Sequence, residues 1–567
     1  MRAAAASWVE RLSHPSGTTP RHDAYSRFFR RKFIIGGIEK IATDTYSFER
    51  IRQNGFAYVD KTAILKPLAD GSIGSQFFVA RPRRFGKSLA VSTLQCLFEG
   101  RRDLFQGLAI EPDWDWSRTY PVLKLDMGSC QASSVDDLWR KIDTMLRFES
   151  ERLGVPLREN ETPSGKFQFL MKDMIAAADR KAKERDPGAS VDKMVLLVDE
   201  YDKPLLGHLG REDVNGIRDA LKAFYSVIKT CEGMQRFAFL TGVSKFSKVS
   251  IFSDLNNLNE FSMDWRVGTL FGYTHEEVKA NFPKALAALG ANYGWDAETT
   301  FSQLAKMYDG YRFAESAPRV FNPVSVGKCL SAGKFDEYWF ETETPTFLLN
   351  LLAGAPEQID GVTLDASAFS VYEPGAPELL PLLYQTGYLT ITGSVREGVY
   401  TQYTLGFPND EVRNAFSKAV SRTFSALPAT EHASLLNQML AALRSDDVND
   451  MLDALSCFFA NIPANITVKR EKYYQTLFYA VFVLIGARTS AECWTNRGRV
   501  DAVVETPCGI YVFEFKLDGT AEAALRQIEA KGYHEKYLRS GKKVTLVGAA
   551  FDAEMRNLSD RRIEVVD

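Results

Sequence analysis

The sequence lacks the features of several protein classes. Its 567 residues include seven cysteines without a CxxC pair, so neither a disulfide framework nor a zinc ribbon is predicted, and a reducing compartment is the natural setting. No apolar run reaches the roughly 18 residues that a membrane-spanning helix needs. An excess of positive charge is also absent, because 69 Lys and Arg stand against 72 Asp and Glu. The net charge of −3 excludes a basic coat protein for nucleic acid, although a local basic groove stays open. We therefore expect a cytoplasmic protein with no membrane partner.

The charge is unevenly distributed along the chain. Residues 1–33 carry seven Lys and Arg against two acids, a net charge of +5, which leaves −8 for the remainder. Arginine richness is typical of organelle transit peptides, but Glu10 and Asp23 count against one. A disordered extension or an upstream start codon is the simpler interpretation. At about 100–200 residues per domain, the length predicts three or four domains. After the basic tail 1–33, we assign residues 34–272 to a first large domain, residues 273–460 to a connector and residues 461–567 to a C-terminal domain.

Short apolar segments alternate with helical patterns in the first large domain. Apolar residues on both faces of a strand are typical of a parallel sheet covered by helices, so an α/β domain is predicted. The predicted strands are residues 76–80, 121–126, 194–198 and 237–241, with helices such as 134–153 between them.

Helical patterns dominate after residue 272. Thr274 and Glu277 predict a capping box at the start of one helix. Residues 387–391 and 400–405 predict a small hairpin, and Asn409 is the predicted N-cap of the next helix. This pattern predicts a helical or winged-helix-like connector.

The segment Arg81-Pro-Arg-Arg-Phe-Gly-Lys-Ser88 lies where a strand is predicted to pass into a helix. Gly86, Lys87 and Ser88 match the end of the phosphate-binding pattern GxxxxGK[ST], in which backbone N–H groups hold phosphate. Lys87 would then reach the β- and γ-phosphates of ATP, and Ser88 would hold Mg²⁺. Arg81 occupies the place of the first glycine, so an ordinary helix start is the alternative. We add Arg83 and Arg84 as candidate nucleotide-binding residues.

A second feature supports nucleotide binding. The apolar strand 194–198 is followed by Asp199 and Glu200, which would bind Mg²⁺ and polarise the attacking water respectively. The alternative is a buried strand with solvated charges at its end. Two further groups of polar residues lie at the ends of predicted elements. Thr241, Ser244 and Lys245 follow the fourth strand and would either sense the γ-phosphate or simply form a polar strand end. Asp60, Lys61 and Thr62 are predicted to cap a helix.

A hairpin near the C-terminus carries the other constellation of charged residues. If Pro507 and Cys508 form its turn, opposed residue numbers sum to 1015, and Asp501 faces Glu514 at a Cβ separation of about 4.5–5.5 Å. Two such carboxylates repel unless a cation lies between them, so one or two Mg²⁺ ions are predicted there. Lys516 shares the face of Glu514 and would orient a nucleophilic water. The competing interpretation is a cross-strand salt-bridge cluster around Lys516.

Together these motifs resemble a known family, the bacterial AAA-ATPase-like proteins with a C-terminal PD-(D/E)XK nuclease-like domain. The resemblance covers about residues 34–560, and the family's loop also has Arg-Pro-Arg-Arg in place of the first glycine. It rests further on Tyr58–Thr62, Leu197–Asp202, Tyr308–Arg312, Tyr384–Leu389, Pro408–Arg413 and Gly498–Asp501. The resemblance implies a P-loop ATPase domain, a helical or winged connector and a restriction-endonuclease-like domain. It implies a nuclease core of Asp501, Glu514 and Lys516, with Glu471, Gln527 and Tyr533 as accessory residues and Glu471 near the metal.

Three functions are compatible with these motifs. The first is an ATP-binding and ATP-hydrolysing protein coupled to a Mg²⁺-dependent nuclease, with nucleic acid, DNA foremost, as substrate. The second is a nucleotide-dependent switch or scaffold whose nuclease fold binds but does not cut. The third is a plain ATPase motor. A homo-oligomer is also expected for an ATPase that takes an arginine from its neighbour.

Overall fold

A computed structural model describes most of the chain between residues 39 and 566. The parts outside the description are 1–38, 247–256, 340–358, 376–377, 426, 462–480, 482–487, 496–497, 553, 556 and 567. Only the backbone is described at 422–425, 429, 488–495 and 498–501. The basic tail and the predicted accessory residue Glu471 therefore lie outside the described residues.

The first domain is built around a five-stranded, fully parallel sheet. Its strands are β1 (Gln76–Ala80), β2 (Val122–Asp126), β3 (Met194–Asp199), β4 (Gln235–Gly242) and β5 (Asn259–Glu260). They are ordered β2-β3-β4-β1-β5, and every residue of β1 and β3 is buried. Continuous apolar strands of this kind are stable where helices cover both faces. The helices of this domain are α1 (Phe48–Gln53), α2 (Thr62–Ala69), α3 (Lys87–Phe98), α4 (Val135–Leu153), α5 (Pro163–Arg185), α6 (Lys203–Leu206) and α7 (Val214–Thr230).

The predicted elements of this domain agree with the structure to within two residues at each end. Strand β1 has the predicted bounds, and α4 begins one residue after Ser134, whose side chain caps the helix by accepting from the Asp137 N–H at 3.2 Å. Gly154 ends α4 with a φ of 64°, a conformation that glycine adopts without steric cost. The two-residue strand β5 was not predicted, because it is too short to show a periodic pattern.

The middle of the chain is mainly helical and contains a small sheet. Its elements are α8 (His275–Asn281), α9 (Pro283–Tyr293), α10 (Ala297–Tyr308), α11 (Pro323–Ala332), β6 (Val362–Asp365), α12 (Leu379–Thr386), β7 (Thr390–Glu397), β8 (Tyr400–Gly406), α13 (Asp410–Ser425), α14 (Ala429–Arg444) and α15 (Val448–Ala460). The predicted capping box is present at Thr274 and Glu277, and the Asn409 side chain caps α13 by accepting from the Val412 N–H at 3.0 Å. The antiparallel sheet has the order β6-β8-β7.

The hairpin is confirmed, but its first strand begins later than predicted. Gly387, predicted as the start of the strand, instead ends helix α12 with a φ of 90°, and β7 begins at Thr390. The elements follow the order strand, helix and hairpin, and a winged-helix-like connector stays a prediction. Helix α12 lies against the first domain, because a Cβ on Gly387 would sit 2.7 Å from the Cβ of Pro82.

The C-terminal region forms a five-stranded mixed sheet. Its elements are β9 (Arg488–Thr495), β10 (Gly498–Glu505), β11 (Gly509–Leu517), α16 (Ala521–Lys531), β12 (Lys543–Asp552) and β13 (Asn557–Val566). The order is β13-β12-β11-β10-β9, and β11 and β12 are parallel whereas the other neighbours are antiparallel. The predicted hairpin β10–β11 is confirmed. In the described part of the chain, no helix is both long and apolar enough to cross a bilayer.

The Gly310 position generates a stability prediction. Gly310 has a φ of 112°, and a Cβ there would sit 1.9 Å from the carbonyl oxygen of Pro408. Gly310→Ala should therefore lower the free energy of unfolding by on the order of 3 kcal/mol, from overpacking and backbone strain together.

The matched control is Gly294→Ala, since Gly294 also has a positive φ (72°) but nothing within 4 Å of a Cβ. It should lower the free energy of unfolding by only about 1 kcal/mol. Circular dichroism during denaturant unfolding measures both changes. Equal changes in the two variants would mean that the Pro408 contact has no energetic weight.

Candidate nucleotide cleft and nuclease-like centre

The predicted phosphate loop joins β1 to α3. Gly86 precedes the helix with a φ of 91°, and Lys87 is buried, with 6% of its surface exposed. The Lys87 ammonium donates to the carbonyl oxygens of Arg81 at 3.0 Å and Pro82 at 2.9 Å. Burial lowers the pKa of Lys87, and the nearby Asp199 carboxylate opposes this effect. The ammonium is thus held inside the loop by weak carbonyl acceptors, which phosphate oxygens can replace.

Arg81, in the place of the first glycine, is one of the largest fully buried side chains. Its guanidinium donates to the carbonyl oxygens of Ala80 at 2.9 Å and Ser262 at 2.5 Å, and lies 4.3 Å from the ring centroid of Phe313. Burial lowers its pKa to about 10. The loop is therefore built around a buried cation.

Strand β3 brings the predicted Mg²⁺ ligands together. Burial raises the pKa of Asp199, and the Ser88 hydroxyl and the Lys87 ammonium lie close enough to oppose the rise. A hydroxyl beside a buried carboxylate is the donor set that a Mg²⁺ ion shared with a nucleotide takes. The residues present therefore fit this ion. Sequence reasoning missed Asp126, which lies opposite Asp199 in the register of β2 and β3. The Asp126 carboxylate also raises the pKa of Asp199.

Glu200 lies beside these residues in the left-handed region, with a φ of 52°. Gly128 leaves room for its carboxylate, because a Cβ there would sit 2.9 Å from Glu200 Oε2. Lys203 is 3.7 Å from the same oxygen. Glu200 therefore lies at the wall of the cleft that Lys87 also lines, and its role towards the attacking water stays a prediction.

A cleft of about 570 Å³ opens over the loop. The loop residues Arg83, Arg84, Gly86, Lys87 and Ser88 line it. Its lining also includes residues that sequence reasoning did not single out, among them Tyr46, Tyr273, Val324 and Lys328. Such residues come from segments far apart in the chain, so no local motif could have revealed them.

The residues proposed as γ-phosphate sensors are held by the protein itself. The Thr241 hydroxyl donates to the Val79 carbonyl at 3.0 Å, and the Lys245 ammonium pairs with Glu260 at 2.8 Å. Ser244 is fully buried, with its hydroxyl 3.0 Å from that of Tyr372. These contacts favour the alternative interpretation, a polar strand end.

The Asp60 side chain serves the start of α2, as its predicted capping role requires. Its carboxylate accepts from the Thr62 N–H at 2.8 Å. Lys61 contributes differently, because its ammonium pairs with Glu277 at 2.6 Å and so ties α2 to α8.

The β10–β11 hairpin has the predicted register. Ala502 pairs with Phe513 and Val503 with Val512, so the numbers of opposed residues sum to 1015. Asp501 and Glu514 occupy the next backbone position of the two strands. The Asp501 side chain lies outside the described residues.

Glu514 is buried at 1% exposure, and its Oε1 accepts from two side chains. These are the Lys516 ammonium at 2.9 Å and the Gln527 amide. Phe513 and Phe515, which alternate with Glu514 along β11, are buried on the opposite face of the strand. The Lys516–Glu514 ion pair is common to the nuclease hypothesis and to the salt-bridge alternative, whereas the approach of Gln527 from α16 was implied by the family resemblance alone.

The predicted accessory residues divide into three groups. Gln527 reaches Glu514, Glu471 lies outside the described residues, and Tyr533 is buried in an apolar cluster with Val512 and Ile528. Among the described side chains there is no group of three or more His, Cys, Asp or Glu suited to a metal ion. The described part of this centre therefore supplies one buried carboxylate, that of Glu514, and the Mg²⁺ site of Asp501 and Glu514 stays a prediction.

The connector is fastened to the rear of this sheet. The Asp446 carboxylate between α14 and α15 accepts from the Tyr511 hydroxyl at 2.5 Å and pairs with Lys543 at 2.6 Å. Phe459 of α15 contacts Phe551 with ring centroids 5.1 Å apart. The face opposite Glu514 is thus occupied by the protein.

The fold and the two sites define a P-loop ATPase-like protein with a nuclease-like C-terminal domain. Two family models agree with this class: a predicted AAA-ATPase matches residues 42–252, and the PD-(D/E)XK nuclease superfamily matches residues 469–561. An Azotobacter chroococcum mcd 1 protein, described as an uncharacterized protein in the vnfD 5′ region, is 35% identical over 532 residues, covering 92% of this chain and 98% of its own. The chain belongs to the family of predicted AAA-ATPases that carry a C-terminal PD-(D/E)XK nuclease-superfamily domain.

One solved structure is a much weaker match. The Aeropyrum pernix ORC2 protein, solved in ADPNP–ADP complexes, covers 69% of this chain and 98% of its own at 11% identity and a TM-score of 0.24. That likeness is too weak to bear on fold or function.

The buried ion pair generates a second stability prediction. Lys516→Ala leaves the Glu514 carboxylate, whose side chain is 2% exposed, without its cation. The free energy of unfolding should fall by on the order of 1–3 kcal/mol, below the range for fully buried pairs because Lys516 is 26% exposed. The double variant Lys516→Ala/Glu514→Gln should recover part of the loss.

Lys542→Ala is the control, because Lys542 pairs with Glu505 at 3.2 Å in the same domain while both side chains are about one third exposed. Its loss should stay within about 1 kcal/mol. Denaturant unfolding followed by circular dichroism checks all three variants. A double variant less stable than Lys516→Ala would contradict the buried-charge explanation.

Proposed function

We propose that the first domain binds and hydrolyses ATP with Mg²⁺. The observation that supports this most strongly is that Lys87 and Ser88 line one cleft of about 570 Å³ while the Asp199 carboxylate lies close to both of them. Lys87 would exchange its two carbonyl acceptors for β- and γ-phosphate oxygens. Ser88 and Asp199 would hold the ion, which neutralises phosphate charge when bound. Glu200, at the wall of the cleft, would take the proton of the attacking water.

The C-terminal domain is proposed to hydrolyse phosphodiester bonds in nucleic acid, with DNA as the foremost substrate. Support comes from the buried Glu514 carboxylate, which the Lys516 ammonium and the Gln527 amide approach at one oxygen. Glu514 and Asp501 would hold Mg²⁺, which supplies charge stabilisation at the scissile phosphate. Lys516 would orient the nucleophilic water, and Gln527 would fix the orientation of Glu514.

A second candidate is a nucleotide-dependent switch whose nuclease fold binds but does not cut. The engagement of Glu514 Oε1 by both Lys516 and Gln527 favours it, because these contacts also describe a purely structural ion pair. The two candidates differ in whether substrate is cleaved, and the cleavage test below separates them.

Nucleotide binding should depend on Lys87. Lys87→Ala removes the charge that would contact the phosphates, so the Kd for ATP in the presence of Mg²⁺ should rise on the order of 100-fold. Isothermal titration calorimetry measures it. Lys66→Ala is the control, because Lys66 pairs with Asp70 on α2 at 3.0 Å and is not among the residues lining the cleft. Unchanged affinity in Lys87→Ala would overturn the P-loop assignment.

Nuclease activity should depend on Lys516. Wild-type protein with Mg²⁺ or Mn²⁺, with and without ATP, should cleave at least one of single- and double-stranded DNA and RNA. Lys516→Ala should lower the cleavage rate on the order of 100- to 1000-fold, the loss typical of one transition-state donor. Lys542→Ala should cleave at the wild-type rate.

Gel electrophoresis of end-labelled substrates follows the reaction. If wild type and Lys516→Ala are equally inactive on every substrate while the wild type still retards one of them in a gel shift, the binding-only function replaces the nuclease.

A further inference from the structure

The connector holds one arginine of the phosphate loop. Arg84 lies in the left-handed region, with a φ of 69°, and its guanidinium donates to the carbonyl oxygen of Tyr338, 254 residues later. Among the described residues, that carbonyl is the one hydrogen-bond acceptor recorded for the Arg84 side chain. A guanidinium has five N–H donors, so others are left for an anion in the cleft that Arg84 lines.

The Tyr338 peptide is itself fixed by a buried carboxylate. The backbone N–H groups of Tyr338 and Trp339 both donate to Glu411 Oε1, at 2.6 and 2.7 Å. Two consecutive N–H groups that converge on one oxygen determine the orientation of the chain at that point. The direction of the Tyr338 carbonyl, and with it the acceptor of Arg84, therefore depends on Glu411.

Glu411 is a buried acid, unlike most glutamates, which lie at the protein surface. It is fully buried in the first turn of α13, and burial raises its pKa to about 7, while the two N–H groups and the nearby Ser325 hydroxyl oppose the rise. A buried carboxylate is stable only where donors satisfy it. Glutamine has the same length and keeps one carbonyl oxygen, so it can replace the acceptor without the charge.

We propose that Glu411 is a positioning residue for the nucleotide-binding loop, acting through the Tyr338–Trp339 backbone on Arg84. The inference rests on the proposed ATP site and adds a residue more than 300 positions from the loop to it. Arg84 contacts the phosphates in this scheme, whereas Glu411 does not touch the nucleotide.

The test measures the Kd for ATP with Mg²⁺ by calorimetry in full-length protein. Glu411→Ala frees the Tyr338 peptide and should raise the Kd about tenfold, the size of indirect effects transmitted through packed networks. Glu411→Gln should restore the affinity to within about twofold of wild type, because the acceptor oxygen is kept.

A double-mutant cycle shows whether the effect passes through Arg84. In an Arg84→Ala background, Glu411→Ala should change the Kd by less than about twofold, because residues that act in series are not additive. Asp410→Asn is the control, since Asp410 lies in the same helical turn but pairs with Lys306 and Arg413 at 3.6 Å. Its Kd should equal that of wild type.

The outcomes separate this inference from the function it rests on. Additive effects of Arg84→Ala and Glu411→Ala, or a Glu411→Gln variant as weak as Glu411→Ala, would overturn the positioning role while leaving the ATP site intact. Absence of ATP binding by wild-type protein would instead overturn the proposed ATP site. If Glu411→Ala fails to fold by circular dichroism, Glu411→Asp takes its place, because the shorter side chain withdraws the acceptor oxygen from the Tyr338 and Trp339 N–H groups. A weaker ATP affinity of Glu411→Asp that is present only with Arg84 supports the role, and an equal change in the Arg84 and Arg84→Ala backgrounds contradicts it.

Discussion

The burial of the Arg81 guanidinium constrains much of the nucleotide-binding half of the protein. A cation removed from water must find acceptors and polarisable neighbours, and it does so at the end of β1, at Ser262 and over the ring of Phe313. Phe313 belongs to the region after the parallel sheet, so satisfying this one charge joins the phosphate loop to the connector. Phe85 strengthens the junction through an edge contact with Tyr311 at 4.7 Å.

This junction distinguishes the loop from a glycine-rich one. Where a glycine would leave the loop free to adapt its backbone, Arg81, Pro82, Arg84 and Phe85 each contact a residue of the connector. Residues of both the loop and the connector line the same cleft. A displacement of the connector therefore displaces the loop, and the reverse, because close-packed interiors transmit small displacements.

Local patterns predicted the elements that have strong local signals. Strand β1 and helix α4 were predicted to within one residue because continuous apolar runs, a serine cap and a terminal glycine are all visible in the sequence. The hairpin register followed from the Pro507–Cys508 turn, since a two-residue turn determines every opposed pair. The same local signals singled out Lys87, Asp199 and Glu514 as candidate site residues.

What escaped prediction depends on contacts between distant parts of the chain. Tyr46 and Lys328 line the same cleft from positions 282 residues apart, and no periodicity connects them. Thr241 and Lys245 have the residue types of a phosphate sensor, but tertiary partners at Val79 and Glu260 occupy their side chains. Gly387 looked like the start of a strand because Tyr388, Leu389 and Ile391 after it are apolar, although Gly387 ends α12 with a positive φ.

The packing of α15 against the C-terminal sheet determines which C-terminal fragments of this protein can fold. Phe459 and Phe551 cover each other, and Arg561 of β13 pairs with Asp453 of α15 at 2.5 Å. A fragment that starts after α15 would expose the aromatic surface around Phe551 and Phe515 to solvent. Exposed apolar surfaces of this kind promote self-association. The smallest C-terminal fragment suited to expression by itself therefore begins before Val448. Helix α15 belongs to the folding unit of the nuclease-like sheet.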